Sequence, residues 1–349
     1  MFRVKASMAA KKILRPCFTR QMVKQGRLRL RFWILDCRLE MIRKGSRINE
    51  RLWVMLFLLT IIVAWSSCRS RSTESPASAG PASTREVTDD LGRRVVVPTR
   101  IGRVVSLAPS LTENLYAVGA GDRLVGDTTY CDYPEEAKSV QKVGDTLSPS
   151  LETIVALRPD VVFVSTASQL ESFKNVLEQN HIGVYVTNPN SLDAVLTDLR
   201  ALGDLLGTVD RTSELLNELQ ERIAGVTQNV EGERAVPVFV QISKEPLFTI
   251  GKDSFVTALV AKAGGRSVTA DVPSGYPKLS KETAVALNPE VIILSESDDN
   301  REPNEVFKNS SAVKNGKVYK ISADLLSRPG PRLVDALEQI ARDLHPDKF

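Results

Sequence analysis

ETIVALRPDV at residues 152–161 returns as ETAVALNPEV at residues 282–291, an offset of 130 residues. The two copies share E, T, V, A, L and P and the closing V. Each copy places a Glu in the first turn of a predicted helix, followed by a turn with Pro and an acidic residue and then by an apolar strand. Because general β/α packing rules would rarely reproduce so many identities, we interpret the pattern as one repeat in each of two similar lobes.

Around the repeat, short apolar strands alternate with amphipathic helices, and this alternation predicts an α/β fold with parallel sheets. Ser110 and Glu113 have the spacing of a capping box at the start of one of these helices. A hairpin is predicted over residues 87–98. The predicted strands span 103–107, 124–127, 161–165, 184–187, 238–241 and 291–294, and the predicted helices span 110–119, 150–157, 170–179, 254–263, 280–287 and 332–344.

A helical pattern without a strand runs from Ser191 to Val230, with a break at 207–210. We therefore expect two similar parallel-sheet lobes, 86–190 and 233–349, joined by a long rigid helical bridge over 191–232. A cleft between the lobes would be the place for a small ligand.

The N-terminus has the pattern of a signal segment. An uncharged apolar run from Trp53 to Trp65 follows several basic residues and precedes Ser66, Ser67 and Cys68. We predict a leader over 1–67, with Met41 as the expected start of translation, and a flexible linker over 68–85 that is rich in Ser, Ala and Pro. The Ser-Ser-Cys sequence resembles a bacterial lipobox, which implies lipidation of Cys68; an ordinary signal peptide is the alternative.

Charge is distributed unevenly along the 349 residues. Residues 1–52 contain 15 basic and three acidic residues, and the chain from Cys68 onward has a net charge of −8, although the whole chain has a formal charge of +4. A nucleic-acid-binding surface normally requires a basic patch. The acidic body therefore argues against nucleic-acid binding.

The residues needed for catalysis or for a metal site are scarce. Removal of the leader would leave Cys131 as the single thiol besides Cys68, and the chain has only two His, His181 and His345. A His-rich metal site or a catalytic triad has too few candidates here. We expect neither an enzyme nor a resident metal or cofactor.

Several motifs of the first lobe are similar to those of the periplasmic binding proteins that serve ABC importers of cobalamin, iron-siderophores and haem. They are VVSLAPS at 104–110 with TE at 112–113, CDYP at 131–134, KVG at 142–144 and LE-IVALRPD at 151–160. The cobalamin-binding members look most similar, through CDYP and through PLFTIG at 246–251. The resemblance covers residues 86–345.

This resemblance implies a ligand site between the lobes. The aromatic residues Tyr133, Phe248 and Tyr276 would contact the ligand, and Asp324 and Arg328 would be polar contacts. Arg328 could instead clamp a carboxylate of a siderophore or of haem. The Trp residues common in cobalamin sites have no counterpart, because Thr146 and Ser165 stand at those positions.

The resemblance also implies partners. Glu152 and Glu282, one in each lobe, would dock onto the membrane permease, although a Glu in the first helical turn also complements the helix dipole. We expect a monomer that works outside the cytoplasm with a permease and its ATPase, anchored to the membrane through Cys68.

Three functions remain open at this stage. The first is capture of cobalamin or a similar chelate for an ABC importer, and the second is capture of a ferric siderophore or haem. The third is a lipid-anchored module that binds protein or polysaccharide.

Overall fold

The computed structural model describes residues 83–166 and 170–349. The predicted leader, Cys68 and most of the predicted linker over 68–85 lie outside the described residues. Within them, no helix combines the length and apolar character needed to cross a membrane.

A β-hairpin opens the described part of the chain. Strands β1 (Thr84–Thr88) and β2 (Arg94–Pro98) pair antiparallel, and Gly92 in the turn between them has a φ of +73°. A left-handed φ of this kind suits glycine, which has no Cβ. The prediction of a hairpin is confirmed, although its first strand begins at Thr84, inside the predicted linker.

The first lobe is built on a four-stranded parallel sheet in the order β4-β3-β5-β6. Its strands are β3 (Val104–Ser106), β4 (Leu124–Asp127), β5 (Val161–Ser165) and β6 (Gly183–Thr187). Its helices are α1 (Pro109–Ala117), α2 (Leu151–Leu157) and α3 (Leu170–Gln179). The alternation of strand and helix predicted from the sequence is confirmed here.

The second lobe has a separate sheet in the order β11-β10-β7-β8, and β9 also pairs with β7. All pairs are parallel except β7 with β8. Its strands are β7 (Val236–Ser243), β8 (Phe248–Thr249), β9 (Gly265–Ser267), β10 (Val291–Glu296) and β11 (Val318–Ser322). Its helices are α6 (Phe255–Lys262), α7 (Lys281–Leu287), α8 (Ser311–Lys314), α9 (Ala323–Ser327) and α10 (Leu333–Leu344). The short strands β8 and β9 and the edge strand β11 were not predicted from the sequence.

Two helices connect the sheets, α4 (Leu192–Leu206) and α5 (Val209–Val230), with Gly207 between them in the left-handed region. Helix α5 has 22 residues, a length of about 33 Å. Its Arg222 donates to Asp335 at 2.6 Å and to Glu338 at 2.8 Å, both on α10. The predicted bridge is therefore a helical pair of which the longer member is fastened to the second lobe.

The two copies of the repeat have the same local structure. Ser150 and Ser280 cap helices α2 and α7 by accepting a hydrogen bond from the backbone N–H three residues later. Both helices end at a residue in the left-handed region, Arg158 or Asn288, and lead into β5 or β10. The copies lie in different sheets, as expected for two similar lobes.

One apolar core extends through both lobes. It joins residues of the first sheet, of α4 and α5, and of the second sheet and α10, including Val104, Leu199, Leu219, Val238 and Leu337. A smaller core lies in each lobe beside it. Because close-packed interiors resist deformation, this shared core holds the lobes to each other through the helical bridge.

Candidate functional site

A cleft of about 610 Å³ lies between the two lobes. On the first lobe it is lined at the carboxyl ends of the parallel strands, by Ser165 and Thr166 at the end of β5 and by Thr187 and Asn188 at the end of β6. This is the edge at which open α/β sheets bind ligands. The second lobe contributes Asp253, Ser254, Phe255, Tyr276, Asp324, Ser327, Arg328 and Pro329.

Hydroxyl and amide groups dominate the wall of the first lobe. Besides the four residues at the strand ends, Ser110, Thr146 and Asn190 line the cleft. The hydroxyl of Thr166 donates to Oδ1 of Asn188 at 2.8 Å, which links the ends of two neighbouring strands. Such a wall can hydrogen-bond neutral polar groups of a ligand as donor and as acceptor.

Two aromatic side chains, Phe255 and Tyr276, line the second lobe's side of the cleft. The Tyr276 side chain is 44% exposed, so much of its surface is open to a ligand. Aromatic faces supply apolar contact area for a flat molecule. The cleft therefore combines a polar wall with an aromatic one.

Arg328 is the one cation among the described residues that line the cleft. Its Nη1 donates to Oε1 of Glu113 at 3.0 Å and to Oδ1 of Asp132 at 2.8 Å, and both acceptors belong to the first lobe. Its Nη2 lies 2.8 Å from Oδ1 of Asp324. A single guanidinium is thus shared among three carboxylates.

Glu113 is the buried centre of this cluster, with a side chain only 2% exposed. Arg332 also donates to it, through Nε to Oε2 at 2.8 Å and through Nη2 to Oε1. We call Glu113, Asp132, Asp324, Arg328 and Arg332 the inter-lobe clasp. Desolvation is the largest single influence on the pKa of Asp132 and raises it, but the hydrogen bond and the charge of Arg328, together with the backbone N–H of Asp132 and the charge of Arg332, hold that pKa below its ordinary value.

The structure brings three of the five predicted ligand residues together. Tyr276, Asp324 and Arg328 line the cleft, and so do Thr146 and Ser165, which stand at the expected Trp positions. Tyr133 and Phe248 are not among its lining residues. The Tyr133 ring instead lies against the guanidinium of Arg332, 4.0 Å from its Cζ, and Phe248 is half-buried on β8.

Sequence reasoning missed the role of Glu113. The capping-box prediction is wrong, because α1 begins at Pro109 with Ala108 as its N-cap and without a side-chain cap. Glu113 lies inside the helix and pairs with the second lobe. The sequence does carry a signal for this role, because Glu113 lies on the face of the helix that is buried. A buried carboxylate needs a cationic partner, so its position could have predicted a pairing with an arginine or a lysine.

Two further cleft residues that were missed, Asp253 and Phe255, lie just before and at the start of α6. Asn188 is different, because it directly follows a buried parallel strand. Polar residues at such strand ends are a usable sequence signal for a ligand site.

Glu152 and Glu282 are exposed in the first turns of α2 and α7. A hydrogen bond from its own backbone N–H, followed by one from Ser280, lowers the pKa of Glu282. Each lobe thus presents an exposed Glu side chain at equivalent places of the repeat.

The buried Cys131 has no features of a nucleophile. Its Sγ accepts a hydrogen bond from Thr112 at 3.1 Å, and burial raises the pKa of its thiol. A neutral, buried thiol is unreactive. In the part of the chain that the structure describes, His, Cys, Asp and Glu form no group that could hold a metal ion.

The model of a family described as periplasmic binding protein matches residues 104–325. The chain belongs to the periplasmic binding protein family. The match confirms the family expected from the sequence. Family members bind solutes and are not enzymes, and the chain is thus an extracytoplasmic solute-binding protein of the type that works with the permease and ATPase of an ABC importer.

Two relatives cover most of the described chain. An ABC transporter substrate-binding lipoprotein of Bacillus subtilis, YvrC, is 28% identical over 308 residues, which are 85% of this chain and 98% of that protein. The vitamin B12-binding protein of Photorhabdus laumondii is 28% identical over 243 residues, 70% of this chain and 88% of that protein.

Solved structures have the same fold. The periplasmic vitamin B12 binding protein BtuF of Vibrio cholerae superposes with a TM-score of 0.61 at 26% identity, over 70% of this chain and 97% of that chain. A periplasmic heme binding protein from Pseudomonas aeruginosa has a TM-score of 0.63 at 25% identity, over 70% and 93%. The expected fold of two α/β lobes with a cleft between them is thereby confirmed.

Proposed function

We propose that this protein captures cobalamin, or a closely related corrinoid, in the inter-lobe cleft and delivers it to an ABC permease. The observation that carries the proposal is the charge of the cleft. Asp253 and Asp324 line it, and Arg328, the one lining cation among the described residues, is already paired with three carboxylates. Such a cleft favours a ligand that is neutral or cationic.

Charge separates haem and the anionic siderophores from a corrinoid. Haem has two propionates, and many ferric siderophores carry carboxylates or catecholates, so these ligands would bring negative charge beside Asp253 and Asp324. Like charges repel strongly where the surroundings have a low dielectric constant. The rim of a corrin ring instead carries neutral amides, which the hydroxyls and amides of the first lobe can hydrogen-bond.

The aromatic wall suits the flat part of the same ligand. Tyr276 and Phe255 can cover one face of a corrin ring, while the polar wall fixes its orientation. The vitamin B12-binding proteins among the relatives support this ligand class. Haem or a carboxylate siderophore would need Arg328 to leave the clasp first.

Delivery to the membrane would use two further features. Glu152 and Glu282 are exposed at equivalent places of the two lobes and are proposed as the contacts with the permease. Cys68 is proposed as the lipid-bearing residue that anchors the protein, which agrees with the lipoprotein name of the Bacillus relative. A C68S variant is expected to lose its association with membranes.

Calorimetric titration of the purified C68S protein tests the ligand class. Cyanocobalamin and dicyanocobinamide are titrated beside haem, a ferric hydroxamate and a ferric catecholate. We expect one corrinoid bound per chain, no heat from haem or from the ferric catecholate, which are anionic, and weaker binding of the ferric hydroxamate than of the corrinoids, because it lacks their flat ring. Tighter binding of haem or of a ferric siderophore than of either corrinoid would overturn the proposal.

A further inference from the structure

We infer that Glu113, Asp132 and Asp324 determine the charge selectivity of the cleft, because they hold Arg328 and so prevent it from binding an acidic group of the ligand. The inference rests on the proposed function, since it concerns how the same cleft selects a corrinoid over an acidic chelate. Glu113 and Asp132 do not line the cleft and act on the ligand through Arg328. They are selectivity residues without direct ligand contact.

The inter-lobe clasp carries a net negative charge. Its two guanidinium groups face three carboxylates, so the group as a whole has a net charge of −1. Arg328 is only 12% exposed, and Glu113 only 2%. Because the Arg328–Glu113 centre of the cluster is largely desolvated, charges there are screened only weakly, and the positive charge of Arg328 is compensated where it lies.

Joining the lobes does not require all three carboxylates of the clasp. Glu113 already accepts hydrogen bonds from Arg328 and, through both of its oxygens, from Arg332. Asp132 and Asp324 have side chains that are 55% and 44% exposed. Ion pairs of such exposed groups add little to stability. The main effect of Asp132 and Asp324 is therefore to neutralise the charge of Arg328 at the wall of the cleft.

Arg328 differs from an arginine that binds an acidic ligand. An arginine that binds a ligand carboxylate offers it an uncompensated positive charge and free N–H groups. Here Nη1 contacts two carboxylates and Nη2 a third. A ligand carboxylate would have to displace one of them, whereas an amide carbonyl brings no charge to the cluster.

The test uses two matched pairs of ligands. In each pair one member has a carboxylic acid where the other has a neutral group. One pair is cyanocobalamin and its monocarboxylic acid, and the other is haem dimethyl ester and haem. The D132N/D324N variant removes two exposed carboxylates and leaves Glu113 in place. D253N is the matched control, because Asp253 lines the cleft but has no arginine partner among the described contacts.

We expect the wild-type protein to prefer the neutral member of each pair that it binds. In D132N/D324N the ratio of acid to neutral dissociation constants should fall by at least about tenfold, which equals about 1.4 kcal/mol. In D253N the ratio should change by less than about threefold, because the substitution releases no guanidinium. E113Q should change the ratio in the same direction as D132N/D324N, and a thermal melt verifies that each variant is folded.

An unchanged ratio in folded D132N/D324N overturns the inference, and so does an equal change in D253N, which would assign the effect to the overall charge of the cleft. If the double variant does not fold, D132N alone decides by the same criterion. Binding of the porphyrin pair alone refutes the proposed corrinoid function, and the inference is then decided by the porphyrin ratio. A wild-type protein that binds neither pair overturns both.

Discussion

The guanidinium carbon of Arg332 lies 4.0 Å from the centroid of the Tyr133 ring, and the two residues belong to opposite lobes. At this distance a cation and an aromatic face attract each other. Arg332 also holds Glu113, so one guanidinium binds a carboxylate and a ring of the other lobe. The clasp thereby holds the loop that carries Tyr133 against the second lobe.

Substitution of Tyr133 can show whether this residue contacts only Arg332 or also the ligand, because the first contact affects stability and the second affects ligand affinity. The Tyr133 side chain is 47% exposed, so it still offers surface to a ligand beyond the lining residues of the cleft. We expect Y133A to lower the free energy of unfolding by about 0.5–1 kcal/mol through loss of the cation–π contact. Stacking on a ligand is worth about as much again, so the affinity of Y133A for cyanocobalamin should fall roughly two- to fivefold.

Y133F keeps the ring and is the matched control, with expected effects below about twofold on affinity. Calorimetric titration and urea unfolding measure the two quantities separately. Normal cobalamin affinity in Y133A, together with lowered stability, would show that Tyr133 serves the clasp alone.

The sequence predicted the repeat and its local structure well, because both depend on neighbouring residues. Ser150, Thr153 and the Pro-acid turn form one short motif, and the same motif at Ser280 folds in the same way. Strand β11 was missed, since Val318–Ser322 is a half-exposed edge strand with a Lys in it. An edge strand of this kind lacks the continuous apolar run that marks a buried one.

The site was harder to predict, because it depends on how the lobes face each other. Glu113 and Arg328 are 215 residues apart in sequence, and nothing near either residue indicates the other. Arg328 was expected to contact the ligand or clamp a carboxylate, but the pattern could not show that three carboxylates of the protein already surround it. Tyr276 and Asp324 could be located by resemblance, since their places in the lobe are fixed by local structure.

Removal of the Glu113 carboxylate should destabilise the whole fold. E113A would leave Arg328 and Arg332 partly buried without their shared partner, and breaking a buried ion pair costs about 3–5 kcal/mol. D132N is the control for an exposed partner of the same arginine and should cost less than about 1 kcal/mol. Urea unfolding of both variants tests this. Equal stability of E113A and the wild-type protein would mean that the clasp does not hold the lobes together.

The carboxyl group of Asp198 should make stability depend on pH. It is buried on α4, and its Oδ2 has no hydrogen-bond partner. Desolvation, together with the neighbouring Asp90, raises the pKa of Asp198 to about 7. The folded protein therefore binds a proton that the unfolded chain releases near pH 4, and the free energy of unfolding falls as the pH rises from about 4 to about 7.

The D198N variant should remove this contribution. Relative to the wild-type protein, we expect it to be more stable at pH 8 by about 1–3 kcal/mol, with a smaller gain at pH 5. D204N, on the exposed face of the same helix, is the control and should leave the pH dependence as it is. Urea unfolding at both pH values measures the effect. A gain of D198N that is the same at pH 5 and pH 8 would contradict the assignment.

Substitution of Glu152 and Glu282 by Gln should impair transport without affecting ligand binding. Glu152 and Glu282 do not line the cleft and lie on the exposed first turns of α2 and α7. If they contact positive groups of the permease, E152Q/E282Q should reduce cobalamin uptake by cells at least about tenfold, because paired charges at an interface contribute strongly to association. The dissociation constant for cyanocobalamin in solution should stay the same.

The same experiment separates docking from a role in the helices alone. A Glu in a first turn stabilises its helix by about 0.3–1 kcal/mol, so a purely structural role predicts a lower melting temperature and normal uptake. E221Q changes an exposed Glu on α5 and is the matched control for loss of surface charge. Docking by exposed charges also weakens with salt, so complex formation with the solubilised importer should fall as ionic strength rises in the wild-type protein and much less in E152Q/E282Q. If uptake by E152Q/E282Q equals uptake by E221Q, the two glutamates do not dock onto the permease, and their only role is to stabilise their helices through the helix dipole.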